Sequence, residues 1–369
     1  MRERTKEMKI TGWQLFWIVA TAEVVMAVWL RISPAVKIAE QDAWLSMLLA
    51  CLLGGAITVL VVKVGMLHPG QSLAQFSREL FGPWLGKIVT LPYFTAWFIL
   101  SGDVLRSFAD FLHLVLLDKT PVWVLMAMIL VAAIYLTGTS GIKGIGRFCE
   151  IAGPLTILTL LVSFLLNATN AKWINLLPVV GDASLTEIVS ASFAPTSFLA
   201  ESFMVLVLLS FVSNPKHIVR KALASIWLTG GMLILSTLMV LMVFGPTVAQ
   251  ELRFPYFMLV RSINILNFIQ NVDILVIFIW IFGVFAKMSL YLFITSYELA
   301  QSFRIKSWKR LFWFTAPLIY IIALAIPNEA AIMTLQRLWE TIVIPVCAIG
   351  IPIGLWIMTS AKRKWVKAD

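Results

Sequence analysis

The chain has 369 residues, of which 60% are hydrophobic and 13% are charged, and its formal net charge is +10. Its mean hydropathy of +0.92 is too high for a soluble globular protein, so the composition indicates a polytopic membrane protein without a separate soluble domain. Apolar runs of about 20 residues recur along the chain, the length that crosses a hydrocarbon core as a helix.

The first apolar run follows a basic start, MRERTKEMKI, and lacks the cleavage site of a signal peptide, so we expect this helix to be retained. We predict an all-α membrane protein with ten spans in a single domain, residues 1–369, and with both termini on one side. The predicted spans are 13–32, 43–66, 88–112, 122–139, 148–166, 189–212, 223–244, 274–296, 312–326 and 341–360.

The distribution of basic residues orients the chain. Most of the 29 Lys and Arg residues fall on the side of the two termini, seven fall on the opposite side, and Arg106 and Lys287 lie within spans. This bias predicts cytoplasmic termini. Because topology and contacts with anionic membrane lipids account for the positive charge, no nucleic-acid partner is expected.

Two connections between spans are predicted to contain helices rather than simple turns. Residues 72–82 place apolar side chains at helical spacing beside charged ones, which predicts a short amphipathic helix on the inner surface. Residues 245–266 are too polar to span and too long for a turn, so we expect an outer surface helix beginning near Pro255.

Several ionisable residues lie inside predicted spans, where a charge at a helix centre costs about 2.5–3.5 kcal/mol on insertion scales. Glu23, within WIVATAEVVMAVWLRI, falls about 15 Å into a core about 30 Å thick, which places it near the midplane. Glu201 in span 6 lies at a similar depth, and Lys287 lies within span 8. Each of these groups needs a partner, a cavity or neutralisation.

Span 3 carries a polar stripe on one helical face. Asp103, Arg106, Asp110 and His113 are spaced by three, four and three residues in GDVLRSFADFLH. The stripe favours internal pairing of Arg106 with its acidic neighbours or the lining of an outward vestibule, and the two are compatible.

Span 6 is a candidate broken helix. Pro195 removes a backbone donor, and neighbouring Ser and Thr hydroxyls can satisfy the carbonyls that it frees. The kink serves either packing alone or a ligand cavity, and Glu201 less than two turns later favours the cavity.

Cysteine and histidine provide no sign of a metal site or a disulfide. Cys51, Cys149 and Cys347 lie far apart without metal-ligand spacing, so we interpret them as buried packing residues. The three histidines are too scattered to suggest a metal, and no cofactor is expected.

Six stretches occur together in an order that resembles the spore germination permease family, the B subunits of spore germinant receptors. They are QDAWLSMLLACLLGG, DKTPVWV, GIKGIGRFCEIAGP, LLPVV, FAPTSFLAESF and FPYFMLVRSINILNFIQNVDILVIFIWIFGVFAKMS, and the similarity covers nearly the whole chain. The resemblance implies a LeuT-like fold of the amino acid-polyamine-organocation superfamily, with two inverted five-helix repeats and discontinuous helices 1 and 6.

The resemblance also implies an environment and partners. Family members reside in the inner membrane of the bacterial spore with an A subunit and a lipoprotein C subunit, bind nutrient germinants, often amino acids, and trigger germination. This chain departs from the family twice. Span 1 carries Glu23 where relatives usually have small residues, often Gly. The common PFGE of span 6 appears here as residues 197–201, SFLAE, without the Gly but with the acid retained.

The resemblance makes spans 1 and 6 counterparts, so their acids are expected to flank one cavity that binds an ammonium-bearing germinant near the midplane. The expected ligand-binding residues are Thr21, Glu23, Trp97, Ser101, Thr196, Ser197, Glu201 and Lys287. Two neighbouring carboxylates do not both ionise easily, so one is expected to hold a proton or to pair with Lys287.

Two other functions stay open. One is a proton-coupled amino acid transporter in which one of the acids titrates. The other is a structural subunit whose buried charges only lock helices together. We do not expect an enzyme, because no nucleophile and base recur at a recognisable spacing.

Overall fold

The computed structural model describes residues 8–30, 32–181, 183–264 and 272–365, and these are almost entirely helical. The α-helices are Gly12–Leu30, Ile32–Ala39, Ala43–Met66, Leu73–Val115, Val122–Asn167, Leu185–Ala191, Phe193–Leu199, Val205–Leu208, Ile218–Ala249, Pro255–Arg261, Asp273–Ser302, Phe312–Ala325, Glu329–Leu338 and Ile351–Trp365. Short 3-10 segments are Glu40–Asp42, Ala168–Asn170, Trp173–Leu176, Ala200–Met204, Leu209–Phe211 and Trp308–Leu311, and Trp339–Gly350 is a π-helix.

The described residues contain nine helical stretches that are long and apolar enough to cross a membrane. One of them, Val122–Asn170, has 49 residues, far more than the about 20 that one crossing needs. The backbone leaves helical geometry at Gly141, with φ 57° and ψ −152°, so this stretch divides into spans 4 and 5. Ten spans result, as predicted.

Sterically defined breaks separate the surface helices from the spans. Residues 73–81 form the predicted amphipathic helix, which Ser72 and Gln75 cap through a reciprocal pair of hydrogen bonds. Gly82, with φ 84°, ends it before span 3, because this backbone conformation favours glycine. The helix expected near Pro255 is also confirmed, as Pro255–Arg261, whereas residues 265 and 266 of that segment lie outside the described residues.

Spans 1 and 6 differ in continuity. Span 1 is one α-helix over Gly12–Leu30, so the break implied for helix 1 does not occur in these residues. Its sequence has neither Gly nor Pro after Gly12, and an unwound backbone in an apolar environment would leave hydrogen-bonding groups unsatisfied. Span 6 stays helical but changes its type, passing from the α-helix Phe193–Leu199 into the 3-10 segment Ala200–Met204 with right-handed helical dihedrals at the junction.

Span 10 is longer than the predicted 341–360 and is also irregular. It begins as the α-helix Glu329–Leu338, continues as the π-helix Trp339–Gly350 and returns to an α-helix at Ile351. Pro345 lies inside the π-helix, where it removes a backbone donor and favours the wider turn.

Burial separates central from peripheral spans. In the apolar 18-residue segment of span 1, 89% of the residues are buried. The same share is 83% in span 6 and 78% in span 8. In spans 9 and 10 only 28% of the residues in the apolar segment are buried, so both helices lie at the outside of the bundle. Spans 1, 6 and 8 therefore form the core of the bundle, and they carry Glu23, Glu201 and Lys287.

The chain before span 1 joins the end of span 6. The Ile10 N–H donates to Phe211 O, and the Ser213 N–H donates to Ile10 O, each at 2.9 Å. We call the side of the bundle where span 1 begins the amino-terminal face. These two bonds place the end of span 6 on that same face.

Candidate functional site

The site centres on an ion pair between spans 6 and 8. Lys287 Nζ donates to Glu201 Oε2 at 2.6 Å, and neither side chain is exposed. The Tyr291 hydroxyl donates to the same oxygen at 3.1 Å. Because Lys287 and Tyr291 are four residues apart on one helix, both face span 6. The second oxygen, Glu201 Oε1, has no hydrogen-bond partner among the described residues.

Glu23 from span 1 completes the cluster. Its side chain is fully buried, neither carboxylate oxygen has a hydrogen-bond partner in the described ranges, and it interacts electrostatically with Glu201 and Lys287. Two carboxylates therefore share one ammonium group in a region without solvent contact. Electroneutrality requires a proton or a bound cation, since an uncompensated charge in this setting is costly.

The irregular backbone of span 6 positions Glu201. The acid is the second residue of the 3-10 segment Ala200–Met204, which begins less than two turns after Pro195. The phenyl ring of Phe198, three residues earlier, lies 5.6 Å from Lys287 Nζ, so the ammonium contacts an aromatic ring as well as a carboxylate.

The other predicted binding residues on spans 1 and 3 lie in different surroundings. Thr21 faces span 5, because its Oγ1 would lie 2.6 Å from a Cβ built on Gly153. Trp97 is buried, and its indole Nε1 has no hydrogen-bond partner among the described residues. Ser101 Oγ donates to the carbonyl of Trp97 at 2.6 Å, so this hydroxyl is occupied within its own helix.

The two hydroxyls expected from span 6 also differ. Ser197 Oγ donates to Ala194 O at 2.7 Å, so this hydroxyl is occupied within its own helix. Thr196 Oγ1 is buried and has no partner in the described ranges. Trp339 Nε1 of span 10 donates to Ser197 O at 3.4 Å and so links these two irregular spans.

The polar stripe of span 3 divides between the two interpretations. Arg106 Nε donates to both oxygens of Asp110 at 3.0 and 2.9 Å, which confirms internal pairing for these two residues. Arg106 Nη1 also donates to Ile326 O at 2.6 Å, and His113 Nδ1 lies 2.9 Å from Thr120 O. Asp103 lines a pocket together with Glu201, so the end of the stripe that carries Asp103 borders a cavity.

Sequence reasoning missed Tyr291 and Trp339. Tyr291 follows Lys287 by four residues, a spacing that could have identified it as a second donor on the same face. No sequence signal places Trp339 beside Ser197, because 142 residues separate the two partners.

Comparisons with known proteins agree with this fold. The solved structure of MhsT in complex with L-phenylalanine has a TM-score of 0.59 and 14% identity, and the match covers 94% of this chain and 97% of MhsT. At this identity the likeness shows the fold alone, which is the predicted LeuT-like arrangement of two inverted five-helix repeats.

Similar sequences include proteins that are named spore germination proteins. Spore germination protein YndE of Bacillus subtilis (strain 168) is 24% identical over 329 residues, which are 89% of this chain and 90% of YndE. Spore germination protein KB of the same strain is 22% identical over 82% of this chain and 81% of its own length. The profile of the family described as "Spore germination protein" matches residues 9–332. Because the profile matches most of the length of this chain, the chain belongs to the spore germination protein family of transporter-like membrane proteins.

Proposed function

We propose that this chain is the nutrient-sensing, transporter-like membrane subunit of a spore germinant receptor. It binds a small molecule near the bilayer midplane, and binding triggers germination. The observation that carries the proposal is the buried cluster of Glu23, Glu201 and Lys287 where spans 1, 6 and 8 meet. Buried ionisable groups in a membrane protein are costly, and they mark functional sites by default.

The chemistry of the cluster favours an ammonium-bearing ligand such as an amino acid. Glu201 Oε1 and both oxygens of Glu23 can accept hydrogen bonds, and the cluster lacks one positive charge when all three groups are ionised. The MhsT structure contains L-phenylalanine, which is consistent with an amino acid in a protein of this fold. A ligand ammonium beside Glu201 would compete with Lys287, and this competition would shift span 6 against span 8.

The proposal places the chain in the inner membrane of the bacterial spore with both termini in the cytoplasm. There it associates with an A subunit and a lipoprotein C subunit, and it carries out no enzymatic step. The names of its relatives as spore germination proteins support this placement.

Spores that carry Glu201→Gln or Glu23→Gln test the proposal. We expect each variant to raise the half-maximal concentration of a defined amino-acid mixture at least about tenfold, because a charge-assisted hydrogen bond is lost. Immunoblots should show normal subunit levels. Glu150→Gln is the matched control, since Glu150 accepts from Gln14 near the amino-terminal face, away from the cluster. Unchanged responses in both test variants would refute the proposed site.

A proton-coupled amino acid transporter is the second candidate. Glu23 favours it. Its buried carboxylate has no hydrogen-bond partner in the part of the chain that the structure describes, and a carboxylate in this setting beside an ion pair can carry a proton between two states of the protein. Uptake of labelled amino acids into proteoliposomes, abolished when the proton gradient is dissipated, would support transport over sensing.

A further inference from the structure

The surface helix 73–81 lies on the amino-terminal face, between the end of span 2 and the start of span 3. Its inner side is buried, since Leu73, Phe76 and Ser77 are each 1% exposed or less. Residues near the ends of spans 8 and 10 also contact this helix. The contacts differ in kind, and those with span 8 include a buried carboxylate.

Span 8 holds the start of the surface helix. The Glu298 carboxylate is buried and accepts from the Leu73 N–H at 3.2 Å and from the Ala74 N–H at 2.9 Å. Gln75 Nε2 donates to Gln301 Oε1 at 2.7 Å. The first N–H groups of a helix lack partners within it, and a carboxylate beside them is stabilised by the helix dipole. These bonds fix the surface helix to the end of span 8.

The contacts of the surface helix with spans 2 and 10 are of other kinds. The His68 ring, just after span 2, stacks on Phe76 with centroids 4.9 Å apart. His68 Nε2 lies 2.9 Å from Thr359 Oγ1 of span 10, and Lys362 Nζ donates to the Glu79 carbonyl at 3.0 Å on the exposed side. Hydrogen bonds to a carboxylate are stronger than those to a neutral acceptor, and burial strengthens them. The surface helix is therefore held more firmly by span 8 than by span 10.

Span 8 also carries two residues of the buried cluster. Lys287 and Tyr291 both donate to Glu201 Oε2. At the usual rise of an α-helix, Glu298 lies about 16 Å beyond Lys287 along the same helix. Span 8 is one α-helix, Asp273–Ser302, and its sequence has neither Gly nor Pro between Lys287 and Glu298. A displacement of the helix at Lys287 therefore reaches Glu298.

Aromatic rings join span 8 to the end of span 6 on the amino-terminal face. Phe211, whose carbonyl accepts from the Ile10 N–H, packs against Phe293 and Tyr297 with centroids 5.3 and 4.8 Å apart. Apolar contacts of this kind are not directional, so they permit span 8 to slide along span 6. The hydrogen bonds of Glu298 are directional, so they carry the surface helix along with span 8.

We propose that the surface helix 73–81 is the element through which the buried cluster acts on the amino-terminal face. A change at Lys287 displaces span 8, and Glu298 passes the displacement to the start of the surface helix. Glu298 is a positioning residue in this path, since it lies about 16 Å from Lys287 along span 8. This inference rests on the proposed function, because it supplies the path from the ligand site to the response.

Hydrogen–deuterium exchange of the purified full chain in lipid nanodiscs tests this coupling without a ligand. Lys287→Met should speed amide exchange in residues 73–81 at least about tenfold, because the displaced span 8 loosens the start of the surface helix. The outer helix Pro255–Arg261, on the opposite face, is the internal reference and should change less than about twofold. Lys221→Met, which removes a lysine beside Trp13 on the amino-terminal face, should leave both helices unchanged. An unchanged surface helix in Lys287→Met, or equal acceleration of both helices, would overturn the inference.

A double-mutant cycle tests the place of Glu298 in this path. Glu298→Gln should by itself speed exchange in residues 73–81, and adding Lys287→Met should speed it less than about twofold further, because the connection is already lost. Additive effects of the two substitutions would contradict the coupling. Thermal unfolding midpoints near that of the unmodified protein show that the variants fold. Gln301→Leu, which removes one bond between span 8 and the surface helix, replaces Glu298→Gln in the cycle if that variant does not fold.

Spores separate this inference from the proposed function. Glu298→Gln spores should need at least about tenfold more of the defined amino-acid mixture for a half-maximal response, with normal subunit levels, and an unchanged response would count against the coupling. If Glu201→Gln and Glu23→Gln spores lose sensitivity while Lys287→Met leaves the surface helix unchanged, this inference fails and the proposed function stands. If Lys287→Met loosens the surface helix while those spores respond normally, the proposed function fails alone.

Discussion

Replacing Lys287 with Met removes the ammonium group that lies 2.6 Å from Glu201 and leaves a fully buried carboxylate without its counter-charge. Met preserves much of the length and apolar volume of the lysine side chain. Breaking a buried pair by removing one partner costs about 3–5 kcal/mol, whereas replacing both partners is often nearly neutral. The retained hydrogen bond from Tyr291 reduces the loss, and the second carboxylate, Glu23, increases it. We therefore expect Lys287→Met to lower the free energy of unfolding by about 3–5 kcal/mol.

Equilibrium unfolding of the purified protein in mixed micelles, followed by circular dichroism, measures this effect in a double-mutant cycle. Adding Glu201→Leu to Lys287→Met should recover most of the loss, to within about 1.5 kcal/mol of the unmodified protein. Lys221→Met is the matched control. Lys221 Nζ lies 5.0 Å from the Trp13 ring on a half-buried side chain, so its loss should cost less than about 1 kcal/mol. A cost below about 1 kcal/mol for Lys287→Met, or strictly additive single variants, would refute the reasoning.

Three further predictions concern helix packing and the surface helix, and each is measured as the change in unfolding free energy. Gly230→Ala should lower the free energy of unfolding by about 1–3 kcal/mol, because a Cβ there would overlap Cys51. Gly231→Ala should be neutral or stabilising, because the space around Gly231 is open. Equal effects of the two substitutions would contradict the packing. The buried Glu298 carboxylate accepts hydrogen bonds from two N–H groups at the start of the surface helix 73–81. Glu298→Gln should therefore destabilise this helix by about 1–2 kcal/mol and speed its amide hydrogen exchange. Unchanged exchange would contradict this role. Gly82→Ala should cost about 1–3 kcal/mol because its φ of 84° strains any residue with a Cβ, and a neutral result would show that the break can shift.

Local patterns predicted much of the fold. Span 2 occupies the predicted residues, as Ala43–Met66, and both surface helices form where helical spacing and Pro255 indicated. Hydropathy and helical spacing depend on residues that are close together in the chain, so both can be recognised from the sequence alone. Span 10 was predicted too short, because the polar start at Glu329 is not apolar enough to be recognised as part of a span.

The candidate site was predictable only in part. The depth of Glu201 follows from its position in the span, but Thr21 shows the limit of such reasoning. It lies two residues from Glu23, and on a helix this places the two side chains about 200° apart, so Thr21 faces span 5 rather than the cluster. The expected break in span 1 came from the resemblance alone, and the uninterrupted helical sequence of Gly12–Leu30 gives it no cause.

The sequence by itself determined that the chain is a ten-span membrane protein with ionisable residues inside its apolar spans, because apolar length and helical rise are local properties. Only the tertiary structure decided that Lys287 pairs with Glu201 and that Glu23 stays without a hydrogen bond among the described residues. It also decided that Asp103 and Trp339 share a pocket with Glu201. These contacts join helices that are far apart along the chain, 86 residues in the case of the ion pair. Their rotation and offset are set by close packing of whole helix surfaces, which no local pattern encodes.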